Sequence, residues 1–198
     1  GSEMCIRDRY GDAETYPTSE EITPRPISPY GVTKLAGEHL CQLYCKNFGV
    51  PVVILRYFTV YGPRQRPDMA FHKFIKAMLN DREIVVYGDG NQTRDFTFID
   101  DVIEANILAM YTDAIGEIFN IGGGSRVTVN QIVNMLKEIA GCNVNVRYIE
   151  SQKGDVKHTA ADITKAKECL GYEPKWDIKN GLRLELEWLH NSFLISTR

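Results

Sequence analysis

The chain has 198 residues, 43% of them hydrophobic and 25% charged, the composition of an ordinary soluble globular protein of one or two domains. Its 23 basic and 26 acidic residues leave a net charge of −3 with no basic block, which argues against a nucleic-acid partner. No apolar run approaches the roughly 18 residues of a membrane span, and the opening GSEMCIRDR lacks the apolar core of a signal peptide, so a cytoplasmic protein is expected.

Helix and strand signals alternate after residue 28, as in an α/β or α+β protein, and no internal repeat is present. Ser28 and Pro29 read as an N-cap and a first-turn proline. Behind them Val32, Leu35, Ala36, Leu40, Leu43 and Tyr44 make an apolar helical stripe that ends near Gly49. Val50 to Phe58 is nearly continuous apolar sequence rich in β-branched residues, the signature of a buried parallel strand. A polar loop, TVYGPRQRPD, leads to an amphipathic helix around Met69 to Leu79. IVVY (84–87) and FTFI (96–99) read as short strands about a YGDGNQT turn, and Asp100 or Asp101 is expected to cap the helix that follows. Thr128 and Gln131 form a T-x-x-Q capping box, backed by Val129, Ile132, Val133, Leu136, Ile139 and Ala140 at helical spacing. Asp162 starts a short helix that Gly171 stops, and a last helix begins after Asp177 and runs through Trp188.

The five cysteines are odd in number and widely spread, which fits reduced thiols. Cys41 and Cys45 read as small core residues, since no second pair accompanies them. His39, His72, His158 and His190 form no ligand spacing, so no metal is expected and surface or satisfied core positions are.

In PYGVTK, Tyr30 and Lys34 are four apart on the first helix and lie one above the other. A phenol titrates near 10 in water. An adjacent ammonium stabilises its anion, which is what a phenolic base near neutral pH requires. The spacing alone is common on helices, so its meaning depends on context.

That context is PISPYGVTKLAGE, RYFTVYGPRQRPDMAF, VYGDGNQTRDFTFIDDV, GDVKHTAAD and LGYEPKW, in this order. Together they resemble the extended short-chain dehydrogenase/reductase family over roughly residues 10 to 190, and within it most closely the UDP-sugar 4-epimerases. The resemblance implies an α/β fold: the C-terminal part of a Rossmann-like doubly wound parallel sheet plus a smaller mixed α/β substrate-binding domain. It implies residues 10–66 as a remnant of the NAD-binding domain and 67–198 as mainly the nucleotide-sugar domain, with some segments returning to the sheet. Residues 1–9 match nothing in the family.

The activity implied is epimerisation with bound NAD. Tyr30 takes the proton of the sugar C4 hydroxyl while NAD takes the hydride; the 4-keto sugar turns over, and both return to the opposite face. Lys34 also holds the nicotinamide ribose, and Tyr57 sits beside the nicotinamide. Phe58 and Thr59 match substrate-facing positions. Arg94 matches the arginine that forks onto the diphosphate, with an ion pair to Asp95 as the alternative. Val86 and Tyr87 belong to the strand that packs near the uracil, with a plain core strand as the alternative. Asp155 matches an acidic position near the nucleotide, although Lys153 beside it departs from the pattern.

The threonine of RYFT stands where UDP-glucose epimerases commonly have asparagine, and the string through Met69 looks like the UDP-glucuronate 4-epimerases. Thr59 and Arg66 are then readers of the sugar carboxylate, since a guanidinium facing a neutral sugar would be unmatched. The alternative leaves Arg64 and Arg66 in water. UDP-glucuronate to UDP-galacturonate is therefore favoured, with UDP-glucose to UDP-galactose close behind.

The family's glycine-rich phosphate turn is expected upstream of Tyr30 and is absent from this sequence. IFNIGGGSRVTVNQIV imitates one, but the resemblance places its glycines on the substrate side. Truncation, doubtful activity of this chain alone, exposed apolar sheet surface and a homodimer in the intact parent follow as expectations. A non-catalytic nucleotide-sugar binding module and a dehydratase or decarboxylase of the same family are the alternatives.

Overall fold

The computed structural model describes residues 10–11, 15–151 and 157–196. Helix α1 (Pro29–Phe48) has the expected bounds: the Ser28 hydroxyl accepts the Gly31 N–H at 3.0 Å, and Gly49 ends the helix at a left-handed φ of 67°. Its apolar stripe, however, does not enter the core. Val32, Leu40, Leu43 and Tyr44 are exposed, and the helix buries Gly31 and Glu38 instead. Periodicity finds an apolar face without saying what covers it.

Strand β1 (Ile54–Tyr57) runs parallel to β5 (Ile118–Ile121), with Ile54 opposite Ile118 and Tyr57 opposite Ile121. It is shorter than the Val50 to Phe58 stretch: its partner β5 begins only at Ile118, opposite Ile54, and the chain changes sheets at Phe58. Thr59–Tyr61 is β2, parallel to β4 (Thr93–Phe98), so the first three residues of the expected polar loop are a strand. Strand β6 (Arg126–Thr128) pairs antiparallel to β4, and β3 (Ile84–Tyr87) runs parallel to β7 (Val146–Ile149). The sheets are thus mainly parallel, and parallel neighbours need helical crossovers.

Those crossovers are α2 (Ala70–Leu79), α3 (Ile99–Met110) and α4 (Val129–Ala140), followed by α5 (Thr164–Leu170) and α6 (Ile178–Ser196). The Thr128–Gln131 capping box is present in both directions. Asp162 accepts the Thr164 N–H at 3.0 Å and Gly171 stops α5 at φ 69°, as expected. Helix α3 differs: β4 runs directly into it at Ile99, and neither Asp100 nor Asp101 caps it. Asp101 is buried and accepts the main-chain N–H of Lys175 (2.9 Å) and Trp176 (3.4 Å), tying α3 to the segment before α6.

Two apolar clusters hold the elements together. In the larger, α2, α4 and α6 cover Tyr61, Ile84, Val86, Phe96 and Phe98. In the smaller, α3 and α5 cover Phe119 and Ile121, with Tyr172 fully buried among them. Each such side chain contributes about 1.5–3 kcal/mol, so these clusters and not the exposed face of α1 hold the fold. Cys41 is exposed and Cys45 half-buried, so neither is a core residue. His72 is buried with a partner, its Nδ1 lying 3.2 Å from the Gln65 carbonyl. Among the described residues no His, Cys, Asp or Glu cluster is arranged for a metal, and no helix is long and apolar enough to cross a membrane.

Candidate active site

On α1 the exposed Lys34 places its ammonium nitrogen 5.2 Å from the centre of the half-buried Tyr30 ring. The same face continues one turn further to Glu38, and there the helix is fastened. Glu38 is 5% exposed and takes Arg56 Nε (2.9 Å) and Nη2 (2.5 Å) on its two oxygens. Arg56 Nη1 donates to the Tyr10 hydroxyl, which donates to Asn120 Oδ1 at 3.1 Å. The Asn120 main-chain N–H donates to Glu20 Oε1 at 2.6 Å. A buried polar network therefore sets α1 against β1 and β5. Tyr10, Glu38, Arg56 and Asn120 lie outside the motif-based expectations. The signal for two of them is a glutamate four residues after Lys34 and the arginine that opens RYF.

Tyr57, Phe58 and Thr59 follow one another and enter three surroundings. Arg56 faces α1, so Tyr57 faces the other side of β1, where its hydroxyl donates to Asn106 Oδ1 at 2.8 Å and burial pushes its pKa up. It lines a cavity of about 450 Å³ with Val53, Leu55, Asn106 and Met110, away from the face that carries Glu38. Phe58 is buried against Tyr10, and Thr59 is buried opposite Phe96. Beyond β2, Arg64 adopts a left-handed φ of 67° and Arg66 stands in solvent. The Arg66 guanidinium is forked on Asp68, Nε to Oδ1 at 3.1 Å and Nη2 to Oδ2 at 2.8 Å.

The Val86 side chain belongs to the larger core, which is the plain strand role; Tyr87 is exposed. The N–H groups of Ile84 and Gly88 point to β7, at 2.8 and 2.9 Å from Asn145 O and Ile149 O. The main-chain groups of Val85 and Tyr87 therefore point to the opposite edge of β3, where Gln92 Nε2 donates to the Tyr87 carbonyl at 2.8 Å.

Arg94 is 4% exposed, its Nη1 donating to the carbonyls of Thr93 (2.9 Å) and Lys157 (3.2 Å). Asp95 turns to the other face of β4 and accepts the N–H of Gly123 (2.8 Å) and Ala161 (3.0 Å), so the neighbouring ion pair does not form. The glycine triplet closes on this strand. A Cβ at Gly123 would overlap the Phe96 carbonyl oxygen, so close packing accounts for that glycine. Its preceding strand, β5, pairs with β1, which places Asn120 and Ile121 in the first sheet. Asp155 and Lys153 lie outside the described residues.

Burial pushes the Asp95 carboxyl up to about 6 and that of Glu185, on α6, up to about 8. An acid whose pKa is raised by folding stabilises the fold in its neutral form. That contribution is complete below about pH 4 and is lost as pH rises, through about 6 for Asp95 and about 8 for Glu185. Glu185→Gln cannot ionise. Its melting temperature is therefore expected to pull ahead of the parent's between about pH 5 and about pH 9; a difference that stays constant over that range would refute a raised Glu185 pKa.

The NAD dependent epimerase/dehydratase family matches residues 8–122. An uncharacterized UDP-glucose epimerase of Bacillus subtilis is 45% identical over 176 residues, covering 88% of this chain and 56% of its own length. The crystal structure of the Bacillus cereus UDP-glucuronic acid 4-epimerase, in complex with UDP-glucuronic acid and NAD, has a TM-score of 0.91 at 48% identity, over 95% of this chain and 60% of that one. The Thermotoga maritima UDP-glucose 4-epimerase with UDP-glucose has a TM-score of 0.92 at 40% identity, over 96% and 62%. The chain thus spans from 56% to 62% of the length of these relatives. With more than half of its residues inside the family match, and its α/β fold shared with two sugar-nucleotide epimerases over nearly its whole length, the chain belongs to the NAD dependent epimerase/dehydratase family.

Proposed function

We propose that the chain carries the proton-transfer helix and most of the sugar-nucleotide pocket of an NAD-dependent UDP-sugar 4-epimerase, with UDP-glucuronate favoured over UDP-glucose. The observation that carries the reading is the Lys34 ammonium beside the Tyr30 ring, on a helix fixed by the Glu38–Arg56 pair. Tyr30 is the group that takes and returns the proton of a sugar hydroxyl, with Lys34 on the same face of α1. NAD, when bound, supplies the acceptor and donor of the hydride. Lys34 would offer N–H donors to the nicotinamide ribose, whereas Tyr57, assigned to the nicotinamide by its motif, turns to the other side of β1 and is held there by Asn106.

Phe58, Thr59 and Arg66 are assigned to the sugar, Arg94 and Asp155 to the nucleotide, and the strand of Val86 and Tyr87 to the base. Arg66 already holds a carboxylate, that of Asp68, in the fork geometry a uronate would use. An exposed pair of this kind is worth about 1 kcal/mol or less, so exchange for a sugar carboxylate costs little. The exposed stripe of Val32, Leu40, Leu43 and Tyr44 supports a homodimer through α1 in the whole protein, and a cytoplasmic location belongs to the same proposal.

Calorimetric titration of the chain is expected to show UDP-glucuronate binding at least about tenfold tighter than UDP-glucose. Silence with both sugars removes the pocket from this chain, and equal affinities remove the preference for the uronate.

A further inference from the structure

Glu185 is a carboxyl that neither the proton transfer nor the assigned pocket uses. It lies on α6 at 1% exposure, one turn from Leu182, in the layer that covers Tyr61. Its Oε2 accepts the Gly62 N–H at 2.9 Å across 123 positions of sequence, and among the described residues Oε1 has no hydrogen-bond partner. A half-satisfied buried carboxyl costs stability that an apolar side chain of similar volume would not, so its presence there calls for a reason.

Gly62 is the first residue after β2. It adopts a φ of 133°, and a Cβ on it would lie 2.7 Å from Ile99 Cγ2, so this point of the chain is tightly fitted. From it the loop runs to Asp68, folded back by Gln65 N–H to Gly62 O (3.1 Å). His72 secures the middle, its N–H donating to Gln65 Oε1 at 3.1 Å. Thr59 lies three residues before the Glu185 contact and Arg66 four residues after it, so the contact falls between the two residues assigned to the sugar carboxylate.

We infer that Glu185 is a positioning residue for uronate recognition: by holding the Gly62 N–H from α6 it fixes where Arg66 stands relative to Thr59. This rests on the proposed function. Glu185 does not touch the sugar; it acts through the loop. Burial keeps its carboxyl in the neutral form over most of the physiological range, so its effect is geometric and adds little charge near the uronate.

The test compares the chain with Glu185→Leu, Glu185→Met and Glu185→Gln, using amide hydrogen exchange over residues 62–68 and calorimetry with both UDP-sugars. Leucine and methionine fill the space without an acceptor, and either suffices if the other fails to fold. Both are expected to speed Gly62 exchange and to weaken UDP-glucuronate by about tenfold each, with UDP-glucose within about twofold. Glutamine keeps an acceptor and is expected to restore both quantities. Unchanged Gly62 exchange in the leucine and methionine variants overturns the inference. So does equal weakening of both sugars, or glutamine failing to rescue the uronate. An unsubstituted chain that binds neither sugar overturns the functional reading, and this inference with it. A chain that prefers the uronate, with variants that match it, overturns this inference alone.

Discussion

Glu38→Ala is expected to destabilise the chain by about 3–5 kcal/mol, a large share of an ordinary domain's stability. The pair it breaks has both side chains 3% exposed, so Arg56 would be left charged in a site that water reaches poorly. The Tyr10 hydroxyl remains near Arg56 but is neutral and replaces only part of what the carboxylate supplied. The surface pair Arg147–Glu83, 58% and 47% exposed at a similar 2.8 Å, provides the control. Glu83→Ala should cost about 0.5 kcal/mol or less. Urea midpoints read at constant m-value measure both. A double replacement, Glu38→Leu with Arg56→Met, is expected to recover most of the loss, since an apolar pair avoids the desolvation of two ions. A Glu38→Ala loss no larger than that of Glu83→Ala would show that the network does not hold α1.

The second large effect is on recognition. Arg66→Ala is expected to weaken UDP-glucuronate by about 30- to 100-fold, the value of losing a forked, charge-assisted contact of about 2–3 kcal/mol. UDP-glucose, with a neutral hydroxymethyl group there, should change by less than about threefold. Arg66→Lys should recover only part of the uronate affinity, because an ammonium cannot fork. Asp68→Ala removes the internal competitor for the same guanidinium and is expected to tighten the uronate slightly. Titration of the four proteins with both sugars decides the matter. Parallel losses on both sugars would mean that Arg66 reads something they share, such as the diphosphate.

Local devices were legible in the sequence because their partners are close in the chain. Ser28 with Gly31, Thr128 with Gln131, and the glycines 49 and 171 each act within one turn of helix. Features settled by distant partners were not. Thr59 to Tyr61 reads as loop until β4, over thirty residues on, offers it a ladder. Asp101 looks like a cap, yet the main chain at Lys175 and Trp176 takes it. In the site, helical spacing put Tyr30 and Lys34 on one face, and the family motifs around them gave that pair its meaning. What holds that helix was not legible, since Glu38, Arg56, Tyr10 and Asn120 come together only through the fold. Arg94 and Asp95 are neighbours in sequence and opposites in space, which strand alternation predicts once β4 is known to include them.

The chain passes from the parallel β1–β5 sheet to the mixed sheet of β2, β4 and β6 through Phe58 alone, with no turn between them. Tyr57 is therefore the last residue of one layer and Thr59 the first of the next, and their Cα atoms lie no more than about 7.6 Å apart, two peptide steps. Relative sliding of the sheets cannot accumulate at this junction. Any change in the spacing of β1 and β2 must therefore be taken up in the backbone of Phe58, a buried residue packed on Tyr10.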